Sequence, residues 1–253
     1  MKITYTQYIN NPLGEKSSVI TNRGMYQKLY RDKLDKILLR EGGKENYNLY
    51  KNKDNYYIHF KIPSEVINKF YYDTIVEFYT DDALKAKSAS LKDYYVRFYS
   101  NDPAFVYTFG HAFIKNKIFI EDLLPKMTRE SKTTVAKEKN PKDLVGYVKS
   151  LFFAYLLIGD YGLFSKSLYD KSGQSYSKNK LLKEVEHAKD KIRKRQEEEE
   201  KLRKQKRREK QNSSRFDNRD SKTAVGKITN KIMKTRTVSS VKTVKAVKRS
   251  KRV

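Results

Sequence analysis

Hydrophobic and polar positions change period twice along this chain, and each change marks a boundary between kinds of element. The lead, Lys2–Ile20, is polar and tyrosine-bearing, with a turn signal at Asn11-Pro12-Leu13-Gly14. Tyr26, Tyr30, Leu34, Ile37 and Leu38 then recur at helical spacing, between a cap at Thr21-Asn22 and a glycine stop at Glu41-Gly42-Gly43. The spacing predicts a helix over 23–41. Next the period drops to two. Tyr56, Ile58, Phe60 and Ile62 alternate with Tyr57, His59 and Lys61. Tyr72, Thr74, Val76 and Phe78 alternate with Asp73, Ile75 and Glu77, and Tyr94, Val96 and Phe98 with Tyr95, Arg97 and Tyr99. Aromatic and β-branched residues at period two predict three strands, paired as an antiparallel meander with one face on a core. Asp81–Ser90 is a polar connection.

The helical period then returns. Asp102-Pro103 reads as a cap followed by a first-turn proline, and Phe105, Phe109 and Phe113 line one face after it. Ile118–Ile120 reads as one more short strand, and Met127–Lys139 as a charged loop. Asn140-Pro141 repeats the start signal, with Asp143 in the first turn. Leu144, Tyr147, Val148, Leu151, Phe152, Tyr155 and Ile158 follow as a broad apolar face, closed by Gly159. From Lys178 to Gln211 proline and glycine are absent. Leu181, Leu182, Val185 and Ile192 form a short stripe that docks the first turns on the body. Beyond it Glu197–Lys201, Glu199–Arg203 and Glu200–Lys204 pair at i,i+4, which predicts a solvated helical spacer about 50 Å long.

The fold class is therefore α+β. A small antiparallel sheet of three or four strands packs with about three helices, then comes a long charged helix and a basic tail. The expected divisions are a body over 1–176, a stalk over 177–212 and a disordered tail over 213–253.

Charge sharpens that division. All 20 tyrosines precede Ser177, and from there onward 28 Lys+Arg face 10 Asp+Glu, within a chain of formal net charge +26. Ser221–Val253 holds 11 basic residues and no acidic one. Such a segment cannot bury enough apolar surface to offset the entropy of ordering it, and its charge calls for a polyanion. Val-Lys-x recurs at Val241, Val244 and Val247, and the cluster Lys248-Arg249-Ser250-Lys251-Arg252 also fits a nuclear signal, if the source has a nucleus. The candidate phosphate contacts are Lys222, Lys227, Lys231, Lys234, Arg236, Lys242, Lys245, Lys248, Arg249, Lys251 and Arg252. No base-reading scaffold accompanies them, so binding is expected to ignore sequence.

Chemistry is harder to find. Cysteine is absent, which excludes disulfides, thiolate metal sites and thiol nucleophiles. His59, His111 and His187 are not at metal-ligand spacing. Asp81-Asp82 and Glu121-Asp122 are adjacent carboxylates, whose side chains diverge on regular structure. Glu130-Ser131-Lys132 has the Glu-x-Lys form of some metal-dependent nucleases but no strand or upstream aspartate to complete it. Phosphate-loop, dinucleotide and nucleophile-elbow motifs are missing. The expectation is no enzyme and no cofactor. The start of the chain lacks a signal-peptide pattern, and the longest apolar run, Leu151–Ile158, is far short of the ~20 residues of a bilayer span. No membrane partner is expected.

One resemblance bears on function. The run from Tyr94 through Asn101-Asp102-Pro103 to Phe109, with Asn140-Pro141 and the Tyr147–Tyr155 segment, resembles a family of tailed-bacteriophage proteins from AT-rich hosts. Its members are regarded as virion-associated or structural. The resemblance covers about residues 55–160, transfers no site residue and implies other virion proteins as partners of the body. The leading expectation is a non-enzymatic virion structural or assembly protein whose tail contacts nucleic acid, located in the particle or the host cytoplasm. The alternative is a free cytoplasmic RNA- or DNA-binding protein that also stacks bases on the aromatic sheet, through Tyr95 and Tyr99. A metal-dependent nuclease is the third reading.

Overall fold

In a computed structural model the residues described are 2–10, 27–32, 46–64, 66–81, 90–132, 140, 143, 145–146 and 148–212. The chain divides into two units, Met1–Glu198 and Glu199–Val253. The first is α+β and is built on a four-stranded antiparallel sheet of strand order 1-2-3-4. Its strands are β1 (Tyr47–Asn52), β2 (Asn55–Pro63), β3 (Tyr71–Tyr79) and β4 (Tyr95–Ser100). The three strands expected from alternation are all present, in the expected meander. β1 is an addition. Its sequence, YNLYKN, is too rich in asparagine to read as a strand, and pairing with β2 from Tyr47↔Phe60 to Asn52↔Asn55 supplies what propensity does not.

Both edges of the sheet make further backbone bonds. On the β1 side Lys51 N–H donates to the Gln174 carbonyl at 3.0 Å, and Tyr176 N–H donates to the Lys51 carbonyl at 2.7 Å. On the β4 side Val96 N–H bonds the Ile3 carbonyl at 3.0 Å, and Phe98 exchanges bonds with Ile118 and Ile120 at 2.9 and 3.2 Å. Ile118–Ile120 is thus an edge segment, bridged in parallel to Phe98 through Phe119. Covered edges remove the template for pairing with other chains.

One sheet face carries Ile58, Phe60, Val76, Phe78, Val96 and Phe98, all buried, and is the centre of the core. The helices that serve it are α1 (Tyr5–Asn10), α2 (Gly110–Lys115), α3 (Lys149–Asp160) and α4 (Lys166–Ser172). Tyr5 and Tyr8 of α1 meet Phe78 and Phe98 at ring distances of 5.5 and 4.4 Å. Phe105 and Phe113 are fully buried as expected, although Phe105–Phe109 is a π-helical turn that leads into α2. α3 supplies Leu151, Phe152, Phe153, Ala154, Leu157 and Ile158.

α3 starts at Lys149, not at the Asn140-Pro141 signal. The reason lies at Asp143, which takes a left-handed backbone (φ 50) and ion-pairs with Lys115 at 2.5 Å, while Val145 and Val148 are buried ahead of the helix. A residue in that conformation cannot continue a right-handed helix. Leu144 and Tyr147 lie outside the described residues, as do the turn at 11–14, most of the connections at 81–90 and 127–139, and most of the helix expected over 23–41. Residues 27–32 of that helix are helical, with Tyr30 buried and its hydroxyl donating to Asp160 at 2.6 Å.

The first unit takes in more chain than the composition break at 176 suggests. α5 (Lys178–Glu184) is followed by a non-helical joint at 185–187 and further helix over 188–198, so the expected single rod is interrupted. Leu181, Val185, Ala188 and Ile192 are all buried. In the second unit residues 199–212 are helical, and Glu200–Lys204 closes at 2.7 Å. The tail expected over 213–253 lies outside the described residues. Among the described residues no helix is long and apolar enough to cross a membrane.

Candidate functional site

The 11 tail cations singled out by sequence, Lys222 to Arg252, lie outside the described residues, so any site with geometry belongs to the first unit. It is found on the second face of the sheet. Alternation marks this face as polar: Tyr57, His59 and Lys61 on β2, Asp73, Ile75 and Glu77 on β3, Arg97 and Tyr99 on β4. It is nonetheless buried. The chain from Gln174 to Ile192, here called the strap, runs over it.

Tyr176 stacks on Tyr57 with ring centroids 3.9 Å apart, and its hydroxyl donates to Asp122 at 2.6 Å. Tyr50 donates to the Glu184 carboxylate at 2.5 Å, and that same oxygen lies 3.8 Å from His59 Nδ1. The centre of the assembly is Asp73, which is 0% exposed. Its Oδ1 is shared by His59 Nε2 at 2.8 Å and by the Lys61 ammonium. Oδ2 accepts from Asn101 Nδ2 at 2.7 Å and from the strap backbone, Glu186 N–H, at 3.3 Å. Asn101 completes the knot by accepting from Asp73 N–H at 2.8 Å. A buried carboxylate is tolerable only when its lone pairs are filled in this way.

The electrostatics follow. Burial alone pushes the Asp73 carboxyl up, but His59 and Lys61 outweigh it and hold it well below the usual carboxylate range. Glu184 is lowered by the His59 ring 3.8 Å away and by the Tyr50 hydroxyl that donates to it. Glu186, despite partial burial, is lowered by Lys194 and Lys191. Glu77, which accepts from Tyr57 at 2.9 Å and from Asn55 at 3.1 Å, moves the other way because burial outweighs Arg97. A carboxyl whose folded-state pKa is depressed contributes stability above its unfolded pKa and loses it as pH falls toward the folded value. With Asp73, Glu184 and Glu186 all lowered, the urea midpoint is expected to fall as pH drops below about 5 and to keep falling past pH 3. Urea titrations at half-unit steps check this; a midpoint flat from pH 6 to 3 would contradict it.

Where the knot reaches the surface it opens into a cavity of about 480 Å3 lined by Lys61, Lys69, Phe70, Tyr71, Glu186, Lys191 and Lys194. Glu186 bridges Lys191 at 3.3 Å and also pairs with Lys194. Lys191 Nζ sits 4.3 Å from the Phe70 ring centre. Burial pushes the Lys191 ammonium pKa down, partly offset by Glu186.

The aromatic platform considered from the sequence is not open. Tyr99 is 0% exposed with its ring edge against Phe119, and Tyr57 lies under Tyr176. Tyr95 is half-buried and tilted on Tyr79 at 5.5 Å. The polar alternation marked a face that is covered by chain more than 70 residues further on, which no local pattern reveals.

The other chemistry-bearing residues do not converge. His59 is a core histidine bonded to Asp73 through Nε2, His111 Nε2 lies 3.9 Å from Asp143, and His187 is exposed in the strap joint. Asp81 pairs with Lys2 at 2.7 Å, and Asp82 lies outside the described residues. Asp122 anchors Tyr176 and Lys178, while its neighbour Glu121 is exposed. Glu130-Ser131-Lys132 is one 3-10 turn with Ser131 turned inward. Among the described residues no group of three or more histidines and carboxylates is placed to hold a metal ion. Asp73 and Glu186, the residues that organise this region, were missed in the sequence.

Comparison with family models, with curated proteins and with solved structures returns no match to this chain.

Proposed function

We propose that the protein is a non-enzymatic structural or assembly component of a phage particle, in which the first unit meets other particle proteins and the C-terminal cations contact nucleic acid. The observation that carries the nucleic-acid part is the charge of Ser221–Val253, 11 basic residues without an acidic one. Density of that kind neutralises phosphates by releasing counterions and needs no fixed geometry. The particle part rests on the resemblance over residues 55–160. The sheet's covered edges and buried faces suit a rigid carrier of that kind.

The test is a binding titration of the full chain with duplex and single-stranded DNA, beside a full-length variant with Lys242, Lys245, Lys248, Arg249, Lys251 and Arg252 all changed to Gln. Weakening that is uniform over sequences is expected, and undiminished affinity would overturn the nucleic-acid reading. A mass-spectrometric inventory of purified particles checks the rest: absence of the chain from particles would leave the free nucleic-acid-binding protein in its place.

A further inference from the structure

We propose that the lysine-lined cavity at the end of the strap binds a nucleoside phosphate, with the phosphate among Lys61, Lys69, Lys191 and Lys194 and the base against Tyr71. This goes beyond the tail: it places a second, shaped anion site in the folded unit.

Three observations converge on it. The first is charge. Four ammonium groups and one carboxylate line the cavity, and among the described residues Lys61 ion-pairs with Asp73 while Lys191 and Lys194 both pair with Glu186. A bound phosphate supplies the negative charge that three lysines divide between two acids. The second is shape. About 480 Å3 is far more than one inorganic anion needs and falls within the range of about 300–1,000 Å3 typical of small-ligand sites. Half-buried Tyr71 and the Phe70 ring form an aromatic wall beside the ammonium groups, and a flat base stacks on such a wall while its phosphate meets the cations.

The third is preorganisation. Lys69 holds a left-handed backbone (φ 60), a conformation that non-glycine residues adopt at a cost and that clusters at ligand-holding turns. The loop that carries it is closed by Ser64 N–H to the Phe70 carbonyl at 2.6 Å, and Ser64 Oγ accepts from Ile67 N–H at 3.3 Å. On the opposite wall Glu186 draws Lys191 and Lys194 to the same side, and its backbone is tied to Asp73. The cations are therefore fixed by the same knot that fixes the strap.

The experiment uses the full chain in the six-glutamine tail background, so that the tail adds little signal. Fluorescently labelled adenosine 5′-monophosphate is titrated, with unlabelled inorganic phosphate and a short oligodeoxyadenylate as competitors. Saturation at one site per chain is expected. Lys69→Gln with Lys194→Gln should weaken it about 10- to 100-fold, the range for removing charge-assisted hydrogen bonds. Tyr71→Ala should weaken the nucleotide while leaving inorganic phosphate unchanged. Oligodeoxyadenylate competing better than the mononucleotide assigns the site to a strand, and equal competition assigns it to a free nucleotide. Unchanged affinity in the double lysine variant, at an unchanged thermal midpoint, would overturn the proposal. So would inorganic phosphate competing as well as the nucleotide. Because six of the 11 tail cations are already replaced and the five that remain are the same in every variant compared, this outcome is independent of whether the tail binds DNA.

Discussion

Replacing Asp73 with alanine is expected to destabilise the first unit by about 3–5 kcal/mol, the range for breaking one side of a buried, hydrogen-bonded charge pair. Asp73 is fully buried and joins three parts of the fold that are distant in sequence: β2 through His59 and Lys61, the end of β4 through Asn101, and the strap through Glu186 N–H. Alanine leaves the buried His59 and Asn101 side chains without their shared acceptor, and that loss exceeds the worth of the bonds themselves. For a unit of this size the midpoint of thermal unfolding should drop by about 2–4 °C per kcal/mol. The control is Asp170→Ala, which breaks the Lys51–Asp170 pair, whose side chains are 35% and 53% exposed, and should change stability by less than about 1 kcal/mol. Urea unfolding of both variants decides the matter, and equal effects would show that Asp73 is not the knot described here.

The second large effect concerns salt. If about six tail cations reach phosphates, log K against log salt has a slope near −5, at about 0.9 counterions released per contact on duplex DNA. Raising salt from 50 to 200 mM then weakens binding by roughly 1,000-fold. The six-glutamine variant should lose most of that slope. A full-length variant with the order of residues 221–253 shuffled should keep both affinity and slope, since phosphate contacts position a strand without reading it. Filter binding at four salt concentrations distinguishes these cases. A steep slope retained after glutamine replacement would move the interaction off those six residues.

Asp73, Glu184 and Glu186 gain their low pKa values from cations and from His59 on the sheet and the strap together. Protonating them therefore weakens strap and sheet contacts at once, and the lysine cavity, which shares Glu186 and Lys61 with the knot, is expected to lose its form over the same range.

Local periodicity determined a good deal. The β2, β3 and β4 strands, their antiparallel meander and the apolar run of α3 follow from residues two or four apart, because side-chain direction within one element depends only on its backbone period; the phenylalanine face after Asp102 follows only in part, since the π-helical turn leaves Phe109 half-buried. What the sequence could not show depends on distant partners. β1 is a strand because β2 and residues 174–176 bond its two edges, not because YNLYKN prefers to be one. α3 begins nine residues later than its cap signal because Asp143 is drawn to Lys115 on another helix. The largest difference is the second sheet face. Its polar alternation reads as solvent-facing, yet Leu181, Val185, Ala188 and Ile192 give the strap enough apolar area to close over it. Asp73 then gathers His59, Asn101 and the Glu186 N–H beneath the strap. Whether a polar residue meets water or another polar residue is set by what packs above it, and only the tertiary structure decides that.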